Sequence, residues 1–278
     1  MTRRPDDIKT NGDMPDAVAR DARLLAEVAG HPYPLLFATV SGAHLYGFPS
    51  PDSDFDLRGA HLTPTTLLTG LDRVEETVTV SHVREGVDVD LVTHEIRKFC
   101  ALLLRNNGYV LEQLYSPLVV HTSPEHAELK EIATGCVTRS CVRHYLGFAA
   151  NQWRMFEGES PRRVKPLLYV LRVLLTGIHM MRTGDVNANL PEVNHEVGLP
   201  YVDALIERKR GGTEQGTLED TDFAIYESEY HRLRELLATE AERSSLPDTP
   251  TVRVAMSDFL RRVRVRAPML PDPQQRMT

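Results

Sequence analysis

The chain has 278 residues, of which 41% are hydrophobic and 26% charged, with a net charge of −7 and a mean hydropathy of −0.29. That length suits one large domain or two modest ones, and the acidic balance excludes a broadly basic nucleic-acid binder. Any contact with RNA or DNA therefore needs a local basic surface.

No apolar run is expected to reach the length of a membrane span. The first residues, M-T-R-R-P-D-D-I-K-T-N-G-D, carry no apolar core after their arginines. They read as a disordered leader over 1–13 and not as a secretory signal. Cys100, Cys136 and Cys141 are odd in number and lack C-x-x-C spacing, which points to a reducing cytoplasm and away from disulfides or structural zinc. The eleven histidines contain no H-E-x-x-H pattern.

In chain order, the spacing of Val18, Ala22, Leu25 and Val28 predicts a helix from Pro15 to Ala29, stopped by Gly30. Leu35 to Val40 is a short apolar run that fits a central strand. Ser41 and Gly42 end it where a helical turn begins, a place where backbone N–H groups can hold phosphate. The next strand opens with Asp54 and Asp56 and runs through Leu62. Thr63-Pro64 reads as the cap of a short helix through Leu68. Thr77 to Val83 and Val87 to Val92 alternate, with Arg84-Glu85-Gly86 as the hairpin turn between them. Glu95 to Leu104 and Tyr109 to Tyr115 read as helices separated by Asn106-Asn107-Gly108, and Leu118 to His121 as a last extended run.

After Ser123-Pro124 the strand signals cease. Glu125 to Phe156 is helical in period with an interruption near Gly135. Ser160-Pro161 reads as the cap of a helix carrying Val164, Leu168, Leu171, Leu175 and Ile178, which Gly184 ends. Tyr201 to Arg210, Thr221 to Arg243 and Thr251 to Val265 are further helices, 211–216 a flexible loop and 267–278 a frayed tail. The expected fold class is α+β: a mixed sheet with flanking helices over 14–122, followed by a helical domain over 123–266.

The chemistry concentrates in D-S-D-F-D, Asp52 to Asp56. An EF-hand loop beginning at Asp52 needs glycine sixth and glutamate twelfth, and those places hold Leu57 and Thr63. Alone, the run fits a polar turn. Three features favour a metal site: the serine–glycine turn twelve residues earlier, carboxylates that open a strand, and a second acidic strand with Asp88 and Asp90 on one face. Two-metal phosphoryl transfer uses carboxylates on neighbouring strands in this way, and three acids held together repel one another without a cation.

The stretch G-A-H-L-Y-G-F-P-S-P-D-S-D-F-D-L-R-G resembles the signature of the DNA polymerase β nucleotidyltransferase superfamily. It is most similar to a bacterial and phage branch of the RNA-repair-pathway type, with G-S-H-x-Y-G and P-D-S-D-x-D-x-R-G. The resemblance continues through D-L-V-T-H-E-I-R-K-F and N-G-Y-V-L-E-Q-L-Y-S-P, and more weakly through K-P-L-L-Y-V-L-R-V-L-L-T-G and M-R-T-G, covering about residues 35–185.

It implies a magnesium-dependent transferase with two ions, for which Mn²⁺ can stand in. Such an enzyme moves a nucleoside monophosphate from an NTP to a hydroxyl, here an RNA or tRNA 3′ end, and releases pyrophosphate. By position, Ser41 and Gly42 line the triphosphate, Asp54 and Asp56 bind both ions, and Asp90 is the third carboxylate, with Asp88 as the alternative. Ala43 stands where the family has serine. His44 and Tyr46 either touch base or ribose or pack locally. Ser53 caps the turn, and Arg58 meets either a phosphate or one of the aspartates. Asn107 and Glu112 either support the site or belong to a capped helix. Lys165, Tyr169 and Arg172, at steps of four and three, form a substrate-facing basic wall. Arg162 and Arg163 read as a solvated face, and Arg261, Arg262, Arg264 and Arg266 as a second basic run. Two other readings stay open: nucleotidylation of a small molecule or protein, and a nucleotide-binding regulator without catalysis. No membrane partner is expected.

Overall fold

The computed structural model describes residues 21–211, 218 and 222–266. The leader, the start of the first predicted helix, the 212–216 part of the loop and the tail lie outside the described residues.

Helix α1 (Ala22–Ala29) is capped by the Asp21 side chain and leads into β1 (Leu35–Val40). A four-residue helical turn, α2 (Gly42–Leu45), and a loop connect β1 to β2 (Phe55–His61). The short α3 (Thr65–Leu68) precedes the hairpin β3 (Thr77–Arg84) and β4 (Val87–Glu95). Its turn has positive φ at Glu85 (50°) and Gly86 (78°), as a two-residue type I′ connection requires. Helices α4 (Ile96–Leu103) and α5 (Gly108–Tyr115) then lead to β5 (Val119–His121).

The sheet order is β3-β4-β2-β1-β5, with β2 and β4 parallel and the other neighbours antiparallel. β1 and β2 are central and almost wholly buried, which the apolar run of β1 predicts. Gly59 is needed where they cross, because a Cβ there would lie 2.2 Å from the Phe37 carbonyl oxygen. β3 is at an edge and alternates in exposure.

The second half is helical: α6 (Pro124–Ala133), two 3₁₀ turns, α7 (Val142–Gly158), α8 (Val164–Thr183), α9 (Leu190–Val197), α10 (Val202–Gly211), α11 (Phe223–Arg243) and α12 (Arg253–Arg266). The 3₁₀ turns interrupt the chain at Thr134–Cys136, where Gly135 signals a break. α8 is the core helix. By length and composition it would pass for a membrane span, contrary to the sequence expectation, but 83% of its apolar window is buried inside the protein. Buried apolar residues from Leu24 to Val263 form one continuous cluster across both halves.

Several local expectations are corrected. Pro64, not Thr63, precedes α3, and no side chain caps that helix. Helix α8 starts after Arg163, whose N–H is taken by Glu159, so Ser160-Pro161 is not its cap. The stop after α4 is Asn106 with φ 59°, while Asn107 caps α5 through Tyr109 and Val110 N–H. Helix α9 is not foreseen by the sequence reading. It is a two-turn element capped by Asn189, too short for its period to stand out beside the long helices.

Candidate active site

Parallel pairing of β2 and β4 sets Asp56 directly opposite Asp90. Asp54 lies one residue before β2 begins, so the loop positions it and not the strand ladder. Asp88 is exposed on the same face of β4 as Asp90, but the β2 pairing begins only at Phe55–Val89, so Asp88 has no β2 residue across from it. Of the two alternatives, Asp90 is therefore the residue set beside Asp56.

Arg58 follows Asp56 on the same strand face and spans the pair. Its Nη2 donates to Asp56 Oδ1 at 2.6 Å and to Asp90 Oδ2 at 2.9 Å. Nη1 donates to the Leu57 and Asp90 carbonyls at 2.8 and 2.7 Å, and Nε donates to the Tyr109 hydroxyl at 3.0 Å. With every N–H group so engaged, Arg58 is a structural cation between two acids. Burial is the main cause that raises the Asp56 pKa, opposed by Arg58 and Lys165 and reinforced by Asp54 and Asp90. Like charges are thus concentrated here with one built-in counter-ion.

The turn before the loop abuts these carboxylates. Gly42 has φ 61°, and a Cβ at that position would fall 1.9 Å from Asp56 Oδ2. Only glycine permits both the backbone and the approach. The Ser41 N–H donates to the Asp56 carbonyl at 2.8 Å, so that amide is already committed within the fold. The Ser41 hydroxyl is buried without a hydrogen-bond partner among the described residues. Ala43 packs in the core at 5% exposure, leaving Ser41 as the hydroxyl of this turn.

His44 stacks on Phe55 with ring centres 4.5 Å apart, and Arg23 lies over the same ring. Burial lowers the His44 pKa, partly offset by Ser53 and Asp54. Tyr46 is buried in the interior between Tyr169 and Arg172. The Ser53 hydroxyl meets Ser50 and Lys209, as expected of a residue that fixes the turn.

The helical half reaches the site through α8. Lys165 is close enough to lower the Asp56 pKa, and Asp56 and Asp54 both raise that of Tyr169, whose main upward push is burial. Arg172 does not join them. It is 1% exposed, donates to Glu112 Oε2 at 2.7 Å and lies 4.0 Å over the Tyr46 ring. The face carrying Lys165 and Tyr169 therefore turns inward by Arg172, because α8 crosses the core and this residue, seven after Lys165, meets Glu112 of α5. Glu112 is accordingly a core ion-pair partner. The C-terminal basic run is also engaged within the fold: Arg261 with Asp258, Arg262 with Glu128, and Arg264 with Glu95.

Tyr109 and Lys209 were not foreseen. Tyr109 sits in the quoted N-G-Y-V motif, where its aromatic character alone gave no sign of a contact with Arg58. Lys209 lies 156 residues beyond Ser53, a separation no local pattern bridges.

Three oxygen-donor carboxylates suit a hard divalent cation, and the Arg58 guanidinium occupies a cation's role between two of them. Among the described residues no group of three or more His, Cys, Asp and Glu is gathered in metal-ligating geometry. A cavity of about 1060 Å³ lies on another side of the turn, lined by residues including His44, Ser116, Asn187, Asn189 and His195. The three carboxylates are not among its lining residues.

A crystal structure of a nucleotidyltransferase-like protein from Exiguobacterium sibiricum aligns over 92% of this chain and 81% of its own, with 13% identity and a TM-score of 0.31. An uncharacterised protein of Methanocaldococcus jannaschii, MJ0002, is 32% identical over 159 residues, 55% of this chain. The match spans 63% of that relative's length. The uncharacterised YcgL of Bacillus subtilis is 26% identical over 217 residues, 75% of this chain and 79% of its own. The profile of the RNA repair pathway DNA polymerase beta family matches residues 18–262, nearly the whole described chain. With that match over its carboxylate strands and its helical half alike, the chain belongs to the RNA repair pathway DNA polymerase beta family.

Proposed function

We propose that the protein transfers a nucleoside monophosphate from an NTP to a hydroxyl, releasing pyrophosphate, with an RNA or tRNA 3′ end as acceptor. The observation that carries this reading is the placement of Asp56 opposite Asp90 on parallel strands, with Asp54 just ahead and Gly42 against Asp56. Asp54 and Asp56 would hold two Mg²⁺ ions, or Mn²⁺ in their place, and Asp90 would share one. When bound, such ions supply positive charge to the triphosphate and lower the pKa of the attacking hydroxyl.

The chain's own groups complete the reading. Arg58 keeps Asp56 and Asp90 aligned. The buried Ser41 hydroxyl and the Gly42 turn would face the triphosphate, and His44 would border its nucleoside. Lys165 and Tyr169 would approach from the helical half, whose closure over 14–122 would exclude water. In this reading 14–122 is the catalytic domain, 123–266 the closing domain and the cytoplasm its compartment. The RNA acceptor rests on the family's name.

The net charge of −7 favours the second reading, nucleotidylation of a small cationic molecule or a protein. Ala43, together with a guanidinium already between two carboxylates, favours a third, nucleotide binding without transfer. Labelled NTPs with Mg²⁺, offered RNA, small-molecule and protein acceptors in parallel, distinguish the three. Label is expected on RNA, and Asp54→Ala with Asp56→Ala should reduce transfer by about 10³-fold, the scale of losing transition-state charge stabilisation. Transfer unaffected by that double substitution would remove the carboxylates from the mechanism.

A further inference from the structure

Helix α10 ends with Arg208, Lys209 and Arg210, and the last two turn back on the loop that carries Asp54. Lys209 is 1% exposed. Its Nζ donates to Ser50 Oγ at 3.0 Å and to Ser53 Oγ at 3.4 Å, and it lies 5.8 Å from the centre of the Phe48 ring. Ser53 Oγ also accepts the Ser50 N–H at 2.9 Å, so one amine reaches both ends of this tight turn. Arg210 Nη2 donates to the Gly47 carbonyl at 2.9 Å.

Lysine is among the residues least often fully buried, because its amine must find partners away from water. Here those partners sit directly before a carboxylate of the site. Asp56 and Asp90 are fixed by strand pairing and by Arg58, whereas Asp54 precedes the ladder and takes its place from the loop.

We infer that Lys209 is a positioning residue that fastens the Ser50–Ser53 turn, and with it Asp54, to helix α10. The fastening stands on the geometry alone; its effect on turnover rests on the nucleotidyl-transfer reading above. It makes the placement of Asp54 depend on a helix from the other half of the chain. Truncating Lys209 removes donors from both serines, so the turn loosens and Asp54 leaves its place while Asp56 and Asp90 keep theirs.

The test uses the full chain with Lys209→Met, Lys209→Arg and the double substitution Ser50→Ala with Ser53→Ala. Amide hydrogen exchange is measured for residues 47–54, and kcat and KM for NTP are measured alongside. For Lys209→Met we expect exchange at least tenfold faster in the loop and unchanged in β2 and β4. We also expect kcat to fall about 10²-fold, the cost of a misplaced reacting group, at a nearly constant KM. Lys209→Arg should restore part of both. If Lys209→Met does not fold, the double serine variant loosens the same amides from the loop side. Exchange in the loop unchanged in every folded variant overturns the inference. A wild-type protein without transfer overturns the proposed function instead, and the exchange result still decides the fastening.

Discussion

The two ends of the central strands make opposite use of polar residues. At one end, Asp54, Asp56 and Asp90 are drawn together with Arg58 as their built-in counter-ion, and burial holds the Asp56 pKa above the ordinary carboxylate value. At the other end, His31 and His61 share one hydroxyl: the Thr93 Oγ1 meets His31 Nε2 at 2.9 Å and His61 Nδ1 at 2.8 Å, and Tyr33 stacks on His61. Burial keeps these histidines neutral, with the His61 pKa pushed down to about 3. One end stores unbalanced charge, as a ligand site does; the other removes charge, as a core does.

Gly42→Ala should break the first end most severely. The added methyl falls 1.9 Å from Asp56 Oδ2 at a φ of 61°, so the carboxylate must move. Transfer should fall by about 10²-fold or more, and stability by about 1–2 kcal/mol from the left-handed backbone. Gly86→Ala carries a φ of 78° with nothing within 4 Å, and so repeats the backbone penalty away from the acids. Kinetics on both variants should show the loss only in the first, and equal losses would mean that the approach to Asp56 is immaterial.

Arg58→Met should cost about 2 kcal/mol in denaturant unfolding, less than a fully buried pair because Asp90 is partly exposed. Adding Mg²⁺ should then raise Tm more in the variant than in the wild type, since the ion binds acids that have lost their guanidinium. An identical Mg²⁺ shift in both proteins would argue that no cation enters between Asp56 and Asp90.

The smallest effect belongs to the histidine end. A folded His61 pKa below the unfolded value of about 6.5 means that the unfolded chain binds the proton first. Its contribution is therefore full above pH 6.5 and is lost as pH falls toward 3. Between pH 6.5 and pH 5 that amounts to about 1–2 kcal/mol. His61→Gln should flatten the stability profile by this amount. Taking the difference between the two proteins sets aside Asp56 and Glu112, whose raised pKa values tilt the profile the other way at lower pH. Parallel profiles would show that His61 is not held neutral.

What could be read in the sequence was local. Leu35–Val40, the D-x-D spacing, the Glu85-Gly86 turn and the alternation around Asp90 each follow from a few neighbouring residues, and they recur in β1, β2 and the β3–β4 hairpin. Helical period likewise placed α8 and its Gly184 stop. What could not be read depended on the third dimension. Arg172 shares a helix face with Lys165 by spacing, but only the three-dimensional contact of α8 with α5 shows that it pairs with Glu112. The choice between Asp88 and Asp90 needed the β2–β4 register, which no single strand carries. Lys209 and Tyr109 became visible only as partners of Ser50, Ser53 and Arg58.

Arg264 on α12 donates to Glu95, the last residue of β4, which caps α4 and is only 2% exposed, and also to the Thr63 carbonyl. The sheet half therefore takes one of its counter-ions from the far end of the chain. During synthesis Glu95 must wait through some 169 further residues for its counter-ion. A nascent chain halted before α12 would lack the guanidinium that pairs with Glu95, so the strand beside the carboxylates would have a charge at its end answered only by the Arg97 N–H.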